Sequence, residues 1–346
     1  MSTSTVTMSR GTLTEAPVVL SVRSLSVSYH GSGGKLTKAV DDVSFDLKPG
    51  MICGLVGESG CGKSTVSLAL MGLLQKHEAL VEGDVLLDGG AKDLLKLSKK
   101  QLRDLQGKWI SMIFQDPMSS LNPAFTVGEQ IVEPMKLHLG LTTTESTERA
   151  WSLLKRIGIA DPAGFMNRYP HELSGGMRQR AMIAMAMACK PKVLVADEPT
   201  TALDVTIQAE ILRLIVDLCK EEGAAVLFIT HDLGVVAESC DEILVMYAGQ
   251  IVERSSHLRE VIADPQHPYT EALLGCLPEM NIGAEELPVI PGTVPRPGTR
   301  FTGCRFADRC AFTIEECRMA PIDLIPTGGD HAARCIRVDR KLEVAV

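Results

Sequence analysis

Residues 57–65, Gly-Glu-Ser-Gly-Cys-Gly-Lys-Ser-Thr, limit what this chain can fold into more than any other stretch. They fit G-x-x-x-x-G-K-[ST], and the flanks give the pattern its weight. The apolar run Met51–Val56 before it reads as a buried strand, and Lys63–Leu74, with Leu68, Leu70, Leu73 and Leu74, reads as a helix. A strand running into a glycine loop and then a helix aims successive N–H groups and the positive helix end at one point. Gly57, Gly60 and Gly62 let the backbone curl round phosphate oxygens with no Cβ in the way. Lys63 is placed to reach the β- and γ-phosphates of a nucleotide, and the Ser64 hydroxyl to ligate Mg²⁺.

Such a loop needs a carboxylate on the metal side. Val193–Glu198 is an apolar strand ending in two acids. Asp197 at its tip is a candidate for the Mg²⁺ shell. Glu198, one residue on, faces the other way because side chains alternate along a strand, so it is a candidate general base for an attacking water. The apolar strand Trp109–Phe114 delivers Gln115, and Ala225–Thr230 delivers His231. Polar residues at the tips of three strands fit one shared site.

The 346 residues suggest one large domain with an appendage, or two domains. A net charge of −8 and the lack of a dense Lys/Arg block argue against a nucleic-acid footprint. Residues 1–17 read as a loose Ser/Thr-rich tail without an apolar core, not a signal peptide. The longest apolar run, Ala181–Cys189, falls well short of the roughly 18 residues that a membrane span needs. The expectation is a soluble, cytosolic chain whose ten cysteines are not disulfides.

Before the loop, Leu25, Val27, Tyr29 and then Val43, Phe45, Leu47 alternate with polar residues, as two half-exposed strands. Tyr29 ends the first of them, where its ring could stack on a purine. Beyond the loop helix, 84–88 reads as a short strand, and Ser98 with Gln101 forms a capping box for a helix ending near Gly107. Asp116–Pro123 is turn chemistry throughout. Thr126 and Glu129 make a second capping box, and amphipathic helix without strand signal continues to Tyr169, as a helical insertion between sheet strands. Ser174 is a natural N-cap, and Gly175 and Gly176 behind it expose first-turn N–H groups. That is a second anion site, yet residues 57–65 already supply one full triphosphate grip. The second site therefore suits a nucleotide held by another subunit. Met177, Met182, Met185 and Met187 on this helix read as core packing, Ala225–Thr230 as the last fully apolar strand, and 246–252 as a terminal hairpin.

Together these motifs resemble the nucleotide-binding subunits of ATP-binding-cassette (ABC) transporters, from about Val18 to Leu277. Leu173–Gln179 (LSGGMRQ) is similar to that family's signature, and Phe114–Pro123, His267–Thr270, Leu273–Leu274 and Ile290–Gly292 look like its dipeptide/oligopeptide importer branch. The resemblance implies an α/β P-loop NTPase cassette: a RecA-like mixed sheet with an antiparallel β-subdomain and a helical subdomain at about 116–175. The cassette would cover 18–265 and a small cysteine-rich extension 266–346. It implies ATP hydrolysis energising import of di- or oligopeptides, with Tyr29 stacking on adenine. Gly57, Ser59, Gly60, Cys61, Gly62, Lys63, Ser64 and Thr65 would hold the phosphates. Ser64, Gln115 and Asp197 would hold Mg²⁺, with Glu198, His231 and Gln115 catalytic. Ser174, Gly175 and Gly176 would clamp the partner's ATP, and Asp204 would couple the two sites. Cys61 would make ATP binding thiol-sensitive. The implied partners are a second ATPase, identical or paralogous, two membrane permeases and a periplasmic or extracellular substrate-binding protein, with no nucleic acid. The implied location is the cytoplasmic face of the inner membrane.

The tail adds Cys304, Cys310, Cys317 and Cys335, spaced C-x5-C-x6-C-x17-C behind the proline-rich stretch 285–303. Four thiolates suit Zn²⁺ or an iron–sulfur cluster, and no C-x2-C knuckle favours zinc. The resemblance implies a [4Fe-4S] cluster on these four, with a structural role. A soluble ABC-type ATPase in nucleic-acid or translation work is the alternative, but fused paired cassettes, coiled-coil insertions and basic tracts are not visible. A regulatory protein whose tail senses redox state is a third class.

Overall fold

The computed structural model describes residues 17–31, 34–200, 204–277, 281 and 288–340. The tail expected over 1–17 lies almost wholly outside these. Strands β1 (Leu20–His30) and β2 (Leu36–Leu47) pair antiparallel, as their alternation requires. After β3 (Ile52–Val56) and helix α1 (Lys63–Leu70) come β4 (Ala79–Leu87) and β5 (Lys92–Asp93), completing a small sheet of order β2-β1-β4-β5. Two sequence boundaries shift here. Helix α1 stops at Leu70, short of Leu74, because the chain turns through the left-handed region at Gly72 (φ +62°). The strand expected at 84–88 begins five residues earlier, since every residue of β4 except Gly83 finds a partner on β1.

Helix α2 (Lys99–Leu105) carries the expected Ser98–Gln101 capping box and leads into β6 (Ile110–Ile113). The turn chemistry after Gln115 closes as one helical turn, α3 (Pro117–Ser120), because Asp116 caps two of its N–H groups and Pro117 fits the first helical position. Helices α4 (Val127–Leu139), α5 (Thr143–Arg156), α6 (Pro162–Met166) and α7 (Gly175–Met187) form the helical insertion. Ile131, Met135, Leu154, Met182 and Ile183 pack there as one core with Leu194, Ala196, Val226 and Phe228 from a sheet face. Met177 and Met185 lean on that core from its edge.

The chain continues through β7 (Val193–Asp197), α8 (Val205–Glu222), β8 (Ala225–Thr230), α9 (Leu233–Ser239), β9 (Glu242–Tyr247) and β10 (Gln250–Ser255). Strands β9, β3, β8, β7 and β6 run parallel in that order, so the loop-bearing strand β3 is paired on both sides. Both faces are covered, which is why these strands are apolar throughout instead of alternating. Val193 and Val195 point into the core shared with Leu55, Leu70 and the small sheet, while Leu194 and Ala196 point to the helical insertion.

Helix α10 (Leu258–Ala263) ends the cassette, and the extension holds α11 (Pro268–Gly275), β11 (Ile325–Gly328), β12 (His331–Ala333) and α12 (Ile336–Arg340). The hairpin β9–β10 is not terminal in space. Strand β12 pairs antiparallel with β10, and β11 with β12, so the tail prolongs the main sheet. A third core, with Tyr247, Tyr269, Phe306 and Leu274, joins the extension to the sheet.

Candidate functional site

The parallel strands end together, and their polar tips meet. Residues 57–62 leave β3 and wrap onto the start of α1. Lys63 is 4% exposed, and its Nζ donates to the carbonyls of Gly57 at 2.6 Å and Glu58 at 3.1 Å. Ser59, Gly60 and Ser64 face solvent, so the loop's concave side is open. Tyr29 stands at the end of β1, and its hydroxyl lies 3.2 Å from Thr65 Oγ1, which ties an inner strand of the small sheet to the second residue of the loop helix after Lys63.

Asp197 accepts from Ser67 Oγ at 2.8 Å and Ser64 Oγ at 3.4 Å. Burial pushes its carboxyl up, and the neighbouring Glu198 charge adds to this, while Ser67, Ser64 and Lys63 pull it down. A buried carboxylate beside a serine hydroxyl is the donor set that a hard divalent ion takes. The residues present therefore fit Mg²⁺. Glu198 turns the other way. Its Oε2 accepts from Gln115 Nε2 at 2.9 Å and its Oε1 lies 3.4 Å from His231 Nδ1. Gln115 beyond β6, Glu198 beyond β7 and His231 beyond β8 thus form one cluster, while Asp197, the strand-tip acid expected to share it, turns away to the serines.

A cavity of about 600 Å³ opens between β2 and residues 295–302 and reaches Gly60 and Cys61. Lys35, Lys38, Arg296, Arg300 and Arg305 line it against one carboxylate, Asp41. Burial raises Asp41, but Lys38 and Arg305 outweigh burial and hold it below the ordinary carboxylate range. The excess of positive charge suits a polyanion. Sequence reasoning did not find this cationic wall, because half of it comes from the far end of the chain. The thiol sensitivity expected of Cys61 is not favoured: the side chain is 1% exposed and burial pushes the thiol up.

Ser174 occupies the N-cap position of α7 with extended backbone, yet its hydroxyl accepts no hydrogen bond from its own helix. Ser174 and Gly175 are exposed and Gly176 half-buried, so the first turn of α7 is open to a ligand from outside. Asp204 caps α8 by accepting from Ile207 N at 3.1 Å; residues 201–203 beside it lie outside the described residues.

Residues 40–201 match the ABC transporter family, and 254–317 match the C-terminal region of oligopeptide/dipeptide transporters. A probable peptide ABC transporter ATP-binding protein of Sinorhizobium fredii, y4tR, is 51% identical over 325 residues, 93% of this chain and 96% of that one. The chain belongs to the ABC transporter ATP-binding family. The dipeptide transport ATP-binding protein DppD of Haemophilus influenzae is 50% identical, over 87% of this chain and 90% of its own. Among solved structures, the cassette MJ0796, a dimer bound to ADP and phosphate, superposes with TM-score 0.60 at 28% identity. It covers 68% of this chain and 97% of that one. The chain is an ABC ATPase with the cassette fold, and it hydrolyses ATP. No helix among the described residues is long and apolar enough to cross a membrane.

Cys304, Cys310, Cys317 and Cys335, up to 31 positions apart, line one small cavity of about 10 Å³ in the extension. Burial pushes Cys304 to about 11, and the other three thiols add to this. Burial also raises Cys310 and Cys335. The donors are the right kind for a thiolate-held metal, but among the described residues no three His, Cys, Asp or Glu side chains stand close enough to hold an ion. The four thiols converge without closing into a ligand set.

Proposed function

We propose that this chain is the motor subunit of a peptide importer, with each residue in the role that its position supports. One observation carries the reading: Lys63, Asp197 and the Gln115–Glu198–His231 cluster stand at one end of a parallel sheet, round an open phosphate loop. Residues 57–65 hold the triphosphate, and Tyr29 packs on the adenine. Asp197, Ser64 and Gln115 hold Mg²⁺, which supplies charge neutralisation at the phosphates when bound. Glu198 takes the proton of the attacking water, Gln115 orients the Glu198 carboxylate, and His231 faces the γ-phosphate. Ser174, Gly175 and Gly176 complete the site of a second ATPase subunit, a copy or a paralogue, and Asp204 links the two sites. The relatives' names support peptides as cargo. The same role calls for two permeases and a substrate-binding protein as partners, and for a peripheral place on the membrane's cytoplasmic face. The expected domain limits, 18–265 and 266–346, serve this reading as a functional division.

Glu198→Gln tests the base. The variant is expected to bind ATP as the parent does and to release no phosphate, followed by equilibrium nucleotide binding beside a phosphate-release assay. Near-normal turnover removes Glu198 from the role.

The four-cysteine cavity suits a [4Fe-4S] cluster, with Zn²⁺ as the other occupant. Four thiols lining one cavity, one buried and three half-buried, favour a group that draws them together as thiolates. Metal and sulfide analysis after anaerobic purification decides: iron with sulfide supports the cluster, zinc alone the alternative, and neither sinks both.

A further inference from the structure

We propose that Arg309 and Tyr269 of the extension are positioning residues of the ATP site. They hold Glu58, and through it the phosphate loop, in the shape that receives a triphosphate. The inference rests on the reading of residues 57–65 as the ATP grip.

Glu58 is the second residue of the loop, and three groups restrain it. Its backbone N–H donates to Tyr269 Oη at 2.8 Å. Its carbonyl accepts from Lys63 at 3.1 Å. Its carboxylate receives both terminal nitrogens of Arg309, at 2.8 and 3.0 Å. The paired geometry fixes orientation as well as distance, which a lysine cannot do. Arg309 is itself immobilised. Its Nε donates to Pro291 O at 2.7 Å and Nη2 to Ile290 O at 3.3 Å. The guanidinium lies 5.8 Å from the ring centre of Tyr247 and 5.9 Å from that of Phe306, with its side chain 6% exposed. Tyr247, Tyr269 and Phe306 in turn pack ring on ring at 4.6 to 5.3 Å. Tyr269 and Phe306 of the extension thus form an aromatic block with Tyr247 of β9, from which one hydroxyl and one guanidinium of the extension meet one loop residue.

Attachment of the extension to the cassette alone would not need that target. Here the contact falls on an acid inside an anion-binding loop, where a free carboxylate opposes the incoming phosphates. Arg309 cancels that charge and prevents Glu58 from rotating into the mouth of the loop. Loss of Arg309 should therefore weaken ATP binding through Glu58, and removal of the Glu58 charge should relieve the loss.

A double-variant cycle on the full chain reads this, with a fluorescent ATP analogue as the probe. Arg309→Ala is expected to weaken binding about 10-fold, equivalent to about 1.4 kcal/mol. In a Glu58→Gln background the same change should cost less than about 2-fold, because the coupled charge is gone. In steady-state hydrolysis the loss should appear in KM for ATP, with kcat within about 2-fold. Unchanged affinity in Arg309→Ala, or an equal loss in both backgrounds, overturns the proposal; the latter would show support of the fold only. If Arg309→Ala does not fold, Arg309→Lys completes the cycle, and parental affinity in Arg309→Lys overturns it equally. A parent chain that binds no ATP refutes the site reading itself, and that failure is visible before any variant is compared.

Discussion

Glu198 has φ +45°, in the left-handed region that a non-glycine residue rarely adopts. Its N–H stays tied to Ile229 O at 2.9 Å, so the strain is held by the sheet. The twist separates two adjacent acids into two jobs: Asp197 turns to Ser64 and Ser67, and Glu198 to Gln115 and His231. Gly62 uses the same region of backbone space for the opposite purpose, to keep a side chain out. At φ +114° a Cβ there would stand 2.7 Å from Ala39 O and 2.9 Å from Met246 Cε. The methionine end can move, but the carbonyl belongs to β2 and cannot. Gly62→Ala should destabilise the chain by about 1–3 kcal/mol in thermal unfolding and weaken ATP binding by more than about 10-fold, because the loop must open to relieve the clash. ATP binding at parental strength would mean that the loop is not the phosphate grip. At this scale the sequence was informative where chemistry is local. A glycine loop before Lys63 and acids at the tip of an apolar run need no tertiary knowledge. Arg309, 251 positions from Glu58, left no trace in any local pattern.

Strand tips were legible because buried parallel strands are continuous apolar runs, and whatever polar residue ends such a run lies at the sheet's edge. Strands β11 and β12 were not, being four and three residues long with no alternation to read. They exist because β10 offers a free edge and a buried carboxylate. Glu253, 0% exposed, accepts from Gln266 N at 2.8 Å and His267 N at 3.0 Å, and meets His331 Nε2 of β12 at 2.7 Å. A buried acid satisfied from both sides of the extension's loop pins the extra strands to the sheet. Glu242, at the start of β9, has no comparable escort among the described residues. Burial pushes its carboxyl to about 7, with Asp46 and Asp330 adding to this against the pull of Arg254 and Lys48. A folded-state value above the unfolded one means that the native chain binds the extra proton between the unfolded carboxylate range and pH 7. Stability on this account falls as pH rises through that window. Glu242→Gln should therefore unfold at higher denaturant than the parent at pH 8, by on the order of 2 kcal/mol, with the gap closing below about pH 5. A gap that persists at low pH would trace the effect to packing, not to the charge.

On the scale of the whole molecule, residues 57–62 and the first turn of α7 are two helix starts with open N–H groups in one chain, and the proposed function uses both for phosphate. The loop lies at the head of α1 with Lys63 and Asp197. Helix α7 begins with Ser174 and Gly175 exposed and the serine hydroxyl unspent on its own helix. A donor group left open at a helix start is costly to waste and well placed to meet phosphate charge presented by a second subunit. Loss of one preorganised donor to a developing phosphate charge raises a barrier by about 3 kcal/mol, so a lone subunit should hydrolyse slowly and a closed pair fast. In the Glu198→Gln background, where ATP is held and not consumed, light scattering should show the 37.3 kDa chain doubling in mass on adding ATP if two copies can pair. Adding Ser174→Arg places a long side chain at the contact without touching residues 57–65. That variant should keep its ATP affinity and remain at the monomer mass. If the functional partner is a paralogue, the single chain remains monomeric and its hydrolysis stays low until the partner is added. The idea of a shared site is sunk by one result above others: a strictly monomeric chain whose specific ATPase rate is high, independent of concentration, and unaffected by Ser174→Arg.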